Sequence, residues 1–216
     1  MSAKRGSYSS PKQQQRRERI LQAARELIAE KGYDGLTMRD LARAGGVSDA
    51  TLYNQFATKD RLVMAAVADL LDGIAESVQA REQAPGIAAI LRYSDSVSAQ
   101  IQQTPAYAQA MSRALFQAEP HSPIIEVLLD SNRRFLSKAL YQAKRQGELR
   151  EEVDVTSSAT ILTGHTWGVL LLWDKGLVSL DVLATMARES IEISLFIMAS
   201  KKGRQLLKRS DDLSER

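Results

Sequence analysis

The chain has 216 residues, 44% hydrophobic and 25% charged, the proportions of a globular protein with enough apolar material for a sizeable core. It has no cysteine and only two histidines, His121 and His165, which excludes disulfide frameworks, thiolate metal sites, cysteine nucleophiles and multi-histidine clusters. The net charge of +3 is unevenly placed: residues 1–62 carry twelve basic against seven acidic groups and the remainder seventeen against nineteen, so the first third either meets a polyanion or carries a solvated basic tail.

The first twenty residues are polar and basic with no apolar run, so no signal peptide is expected. The most apolar stretch, Ile161 to Trp173, is interrupted by Thr163, Gly164, His165, Thr166 and Gly168 and falls short of the roughly 20 residues a membrane helix needs. A cytoplasmic protein with no membrane association is the expectation. Apolar spacings of three and four recur along the chain and sustained alternation does not, which predicts an all-α protein of about nine helices.

Residues 1–14, rich in Ser, Gln, Lys and Pro, read as a flexible basic arm. A first helix is predicted from Arg16 to Lys31, with Ile20, Leu21, Ala24, Leu27 and Ile28 on one stripe and Gly32 ending it. Three further helix starts are crowded between residues 36 and 62. Thr37 caps the first, with Asp40 completing a capping box and Leu36 stapling onto Leu41; Ala44-Gly45-Gly46 makes the turn. Ser48 caps the second, with Val47 and Leu52 as its staple, and Thr58 caps the third. Two short helices joined by a glycine turn make a helix-turn-helix. In its second helix Leu52 and Phe56 face inward, leaving Asp49, Ala50, Tyr53 and Asn54 outward. A small, polar N-terminal end suits insertion into a DNA major groove, and equally suits a purely structural hairpin with a solvated face.

The run Gly35 to Ala42, with Gly46-Val47-Ser48, Thr51-Leu52-Tyr53, Phe56 and Thr58-Lys59-Asp60, resembles the DNA-binding domain of TetR-family (tetracycline-repressor-like) regulators over residues 15 to 65. The resemblance implies a three-helix DNA-binding domain at 15–62 and a helical ligand-binding and dimerisation domain at 63–216. It also implies double-stranded operator DNA and a small-molecule effector as partners, a homodimer, and no cofactor. By position, Thr37, Tyr53 and Lys59 match phosphate contacts, and Arg39 a residue that reaches a guanine edge. Ser48, Asp49, Ala50 and Thr51 form the start of the recognition helix. Asp49 stands where family members often have Lys, Arg or Gly, and either accepts from cytosine or stabilises the helix dipole. Asn54 and Gln55 replace a histidine or aromatic, leaving Gln55 as an uncharged phosphate contact. Lys4, Arg5, Lys12, Arg16, Arg17 and Arg19 add groove or phosphate contacts.

Beyond residue 58, helices are predicted at 59–82, 87–102, 105–118, 122–146, 155–174 and 179–201, with breaks at prolines and glycines such as Ala84-Pro85-Gly86. The last two are apolar on more than one side, which predicts a four-helix interface with a second subunit or burial inside a monomer core. A ligand pocket in the central helices is expected to draw on Tyr107, Met111, Phe116, Phe135, Tyr141 and Trp167, with Tyr93 nearby. Residues 104–114 resemble a segment of family members that respond to acyl-CoA or sterol-derived compounds, which points to a lipid-like effector. His165 reads as a hydrogen-bonded core or interface residue. There is no nucleophile paired with a histidine and no phosphate-cradling loop, so no enzyme is expected. The alternative is an all-helical small-molecule binder or adaptor without specific DNA binding.

Overall fold

The computed structural model describes residues 10–81 and 86–214. Among them are ten helices: α1 Pro11–Lys31, α2 Met38–Gly45, α3 Asp49–Phe56, α4 Lys59–Arg81, α5 Ile87–Gln103, α6 Pro105–Phe116, α7 Pro123–Arg145, α8 Val155–Asp174, α9 Leu180–Met198 and α10 Lys201–Ser214. The only bridge between extended segments, among the described residues, joins Leu149 to Ala199. No helix among them is long and apolar enough to cross a membrane.

Two departures from the expected elements have local causes. The helix predicted from Arg16 begins at Pro11, so residues 11–14 belong to α1 and not to an arm. Ser10 accepts the Gln13 N–H and Gln13 Oε1 accepts the Ser10 N–H, a complete capping box, while Pro11 supplies a preset φ at the first helical position. Lys4 and Arg5 lie outside the described residues, as do Ala84 and Pro85 of the predicted break. The segment read as one helix over 179–201 stops at Met198. Extended backbone at Ala199 separates it from α10, so the apolar pair α8 and α9 is not the end of the chain.

The C-terminal helix is tied in at Glu148. This carboxylate is buried, and its Oε2 accepts the N–H of Ile87, the first residue of α5, at 2.9 Å. Its carbonyl accepts from Ser200, and Gly203 of α10 lies so close that a Cβ there would overlap that oxygen. Gly203 therefore sits in the first turn of α10 because the backbone approach demands it.

Three apolar clusters form the interior. One joins α1, α2, α3 and the first half of α4 to α6 and the start of α7. A second joins α5, the later part of α7, α8 and the far end of α9. A third, around Ile101, Val169, Leu170, Leu183 and Ala187, lies between α5, α8 and α9. Helix α4 runs from the first cluster into the second, so the three N-terminal helices and the body share one rod. Arg25 of α1 clamps it by donating to the Ala66 carbonyl at 3.1 Å and pairing with Asp69 at 3.3 Å.

Candidate nucleic-acid interface and cavity

Helices α2 and α3 are positioned by short-range chemistry. Thr37 Oγ1 accepts the Asp40 N–H at 3.1 Å and donates to Asp40 Oδ2 at 2.8 Å. The acid thus returns the bond to the hydroxyl instead of to the Thr37 backbone, as a standard capping box would. Asp40 is also held by Arg43 at 2.8 Å and Lys31 at 3.3 Å, and the Thr37 bond followed by these cations keeps its carboxyl below the usual range. Gly46 closes α2 in the left-handed region, φ 62°, with its N–H on the Ala42 and Arg43 carbonyls. Arg19 donates to the Gly45 carbonyl at 3.0 Å. It therefore belongs to the α1–α2 joint and is not part of a mobile arm, while Arg17 lies over the Phe56 ring at 5.3 Å.

Ser48 then caps α3, accepting from the Thr51 N–H at 3.2 Å and sharing a 2.8 Å bond with the Thr51 hydroxyl. Leu41 and Leu52 are fully buried and Phe56 nearly so, which fixes the rotation of α3 on the first cluster. Each buried leucine contributes about 1.5–3 kcal/mol to holding that rotation. The side turned to solvent carries Asp49, Ala50, Tyr53, Asn54 and Gln55, with Ser48 before them and Thr51 half-buried at their edge. Arg39 on α2 is exposed and has no hydrogen bond or ion pair within the described residues. Lys59 is already engaged: its ammonium donates to the Tyr33 carbonyl at 3.2 Å and sits over the Tyr33 ring at 4.8 Å, leaving two protons for another acceptor.

A cavity of ≈ 90 Å³ lies between α4, α5, α6, α7 and α8, and no charged side chain lines it. Tyr107, Met111 and Trp167 reach it as expected; three other expected residues do not. Phe135 is buried behind the wall, stacked on the lining residue Tyr93 with ring centroids 4.0 Å apart. Phe116 is 37% exposed and meets Trp167 edge-on from outside. Tyr141 is 56% exposed, because it follows the lining residue Asn132 by nine positions, about two and a half helical turns, and so points the opposite way. Asn132 itself was missed. It occupies the apolar stripe Leu128-Asn132-Phe135-Leu136, and a lone amide on such a stripe was the available signal.

Residues 20–66 match the family model described as bacterial regulatory proteins, tetR family. The chain is similar to the uncharacterised HTH-type transcriptional regulator YezE of Bacillus subtilis, 30% identical over 66% of this chain and 78% of that one. The HTH-type transcriptional regulator UidR of Escherichia coli is 26% identical over 71% of this chain and 79% of its own. The fold matches the crystal structure of FadR from Bacillus subtilis in complex with stearoyl-CoA, with TM-score 0.68, 21% identity and coverage of 82% and 97%.

The chain belongs to the TetR family of bacterial transcriptional regulators. As a helix-turn-helix regulator it binds DNA, and the matched residues 20–66 include all of α2 and α3. This TetR-family chain also has an apolar outer face. Ile161, Gly164, His165, Gly168 and Leu172 recur at helical spacing along α8; Val182, Ile193, Phe196 and Ile197 do so on α9. Ile193 and Ile197 are 63% and 60% exposed. His165 Nδ1 bonds the Ser194 hydroxyl at 2.9 Å, fixing α8 to α9 beside this face.

Proposed function

We propose that this regulator is a homodimeric repressor, acting in the cytoplasm, that leaves a near-palindromic operator when a small molecule enters the α4–α8 cavity. The DNA-binding unit is residues 15–62 and the ligand-binding and dimerisation unit 63–216, with α4 common to both. The observation that carries the reading is the solvent side of α3, small and polar at its N-terminal end and flanked by the unpaired Arg39. In this reading Arg39 reaches a guanine edge; Ser48, Asp49, Ala50, Thr51 and Asn54 approach the bases; and Thr37, Tyr53, Gln55 and Lys59 hold phosphates. Two copies pair through the exposed faces of α8 and α9, since an uncovered apolar surface of this extent marks an interaction site. The two α3 helices then enter successive major grooves about 34–36 Å apart.

Release follows from α4. Val67, Leu70, Leu71 and Ile74 line the cavity, while Leu62, Val63 and Val67 belong to the cluster that holds α1, α2 and α3. A ligand that displaces this helix reorients the DNA-binding unit and lowers operator affinity by its preference for the displaced state. The stearoyl-CoA held by FadR of Bacillus subtilis and the lauroyl-CoA held by FadR of Thermus thermophilus support a lipid-like effector for this apolar cavity. Selection of bound sequences from a random DNA pool tests the reading. A palindromic consensus is expected, with Arg39→Ala relaxing one base pair by about 1–3 kcal/mol and Tyr53→Ala weakening all sequences alike. Binding that is sequence-independent and lost with salt would overturn it.

A further inference from the structure

Four buried side-chain polar atoms have no hydrogen-bond partner among the described residues: Tyr107 Oη, Ser112 Oγ, Asn132 Oδ1 and Trp167 Nε1. Three of the four belong to residues that line the α4–α8 cavity. Tyr107 and Asn132 are each only 6% exposed, so solvent does not satisfy them from outside. An unmet buried donor or acceptor has given up its hydrogen bonds to water without replacement, which is costly. The residues that carry three of them border one cavity, so the unmet groups sit within its wall, and their chemistry is specific: a phenol that gives or takes a proton, an indole N–H that only gives, and an amide oxygen that only takes.

The rest of the lining is as informative. It contains no Lys, Arg, His, Asp or Glu. The charges that act on its two tyrosines, Arg25 on Tyr107 and Asp72 on Tyr93, stand outside it, and Arg25 is held by the Ala66 carbonyl and Asp69. Burial raises the phenol pKa of Tyr107, so it stays a neutral hydrogen-bonding group. An ionised headgroup placed here would lose its water and find no counter-ion, a cost far above that of a neutral polar group. The cavity is also small. A second lobe of ≈ 20 Å³ lies toward α9, and both lobes share the lining residues Tyr93, Val97, Ile101, Asn132, Thr166 and Leu170. A chain longer than the first lobe must part those residues to reach the second.

We infer that the group this cavity takes in is an uncharged amphiphile: a hydrocarbon body bearing a neutral oxygen function that meets Tyr107, Trp167 and Asn132, with no carboxylate or phosphate inside. The inference rests on the cavity being the effector site and adds the effector's chemical class. Its test is titration of the full chain with octan-1-ol, octanoate, octanoyl-CoA and toluene, read by tryptophan fluorescence and competition. Octan-1-ol is expected to bind at least about ten-fold tighter than octanoate at neutral pH. Tyr107→Phe and Trp167→Phe are each expected to weaken octan-1-ol about 3–10-fold while leaving toluene unchanged; the Trp167→Phe titration is read by competition alone. Tighter binding of octanoate or octanoyl-CoA than octan-1-ol overturns the uncharged class, as does equal weakening of toluene and octan-1-ol in Tyr107→Phe. Ala108→Phe, with Val97→Phe as a second filling variant should the first not fold, separates the two readings. Octanoate that is preferred but lost on filling keeps the cavity as the site and removes only the uncharged class. Octan-1-ol bound undiminished by both filled variants removes the cavity itself.

Discussion

The helix-turn-helix segment and the body behind it treat their polar groups in opposite ways. Within residues 37–61 the side-chain pairs are three positions apart, Thr37 with Asp40, Arg43 with Asp40, Ser48 with Thr51, and Thr58 with the Arg61 N–H, and Arg19, Lys31 and Tyr33 add partners from the residues just before them. No buried side-chain polar atom is unmet there, and what remains open is the exposed face of α3 and the Arg39 guanidinium. In the body, polar atoms of Tyr107, Asn132 and Trp167 stay unmet inside while Ile193, Phe196 and Ile197 stay uncovered outside. A region completed by its own neighbours serves as a rigid die for a regular surface such as DNA. A region with unmet groups inside and out is suited to change when they are met, and that is what a sensor needs.

The sharpest way to break this contrast is through the die. Leu52 is fully buried under α3, and Leu52→Ala is expected to cost about 2–5 kcal/mol in denaturant unfolding and to abolish operator binding. A loss well under that range would mean that α3 is not held rigidly by its core. The matching change in the body acts outside. A side chain at Gly168 meets nothing within 4 Å, and replacing glycine inside a helix gains up to about 1 kcal/mol of propensity. Gly168→Leu should therefore leave the subunit folded yet weaken self-association more than about ten-fold, as a leucine there blocks close helix approach. An unchanged dimer in sedimentation would remove α8 from the interface.

The same contrast explains what could be read from the residues alone. The all-helical class and the α2–α3 motif were legible because their determinants are local: a capping hydroxyl, a staple pair and a glycine lie within a few positions of each other. Body helix boundaries from α4 to the start of α9 were also legible to within about two residues, since prolines and glycines mark them, whereas the break between α9 and α10 was not. What escaped was non-local. Nothing next to Gly203 in the sequence announces the Glu148 carbonyl against it, and the charged run around it hid the short stripe Gly203-Leu206-Leu207 that docks α10. Aromatic identity points to Tyr141, but helical phase decides which side of α7 faces the cavity, and it selects Asn132.

A smaller effect separates capping from core within the die. Ser48→Ala removes the acceptor of the Thr51 N–H and is expected to cost about 1 kcal/mol, far less than Leu52→Ala. The deficit should be fully visible in hydrogen exchange of the first turn of α3 and faint elsewhere. A global loss as large as that of Leu52→Ala would show that the cap, and not the core, sets the orientation of α3.

The smallest expected effect concerns Glu148, a buried carboxylate of the body that does have a partner, one lying 61 residues away. Burial raises its carboxyl pKa above the ordinary 4.5, against the opposing pull of the Ile87 N–H and Lys202. The folded chain therefore holds this proton more tightly than the unfolded chain does. By linkage its contribution favours folding most below the unfolded pKa and declines as pH rises through the raised folded value. Asp40 and Asp154 have lowered values and act in the opposite direction, losing stability as pH falls through them. Glu148→Gln keeps an acceptor for the Ile87 N–H and cannot titrate, so the difference between wild type and variant isolates this one group. That difference should shift toward the variant from mildly acidic to neutral pH, by less than the Ser48 effect. A wild type that gains on the variant as pH rises would show that the bond to α5 and the charge of Lys202 outweigh the burial of the carboxylate.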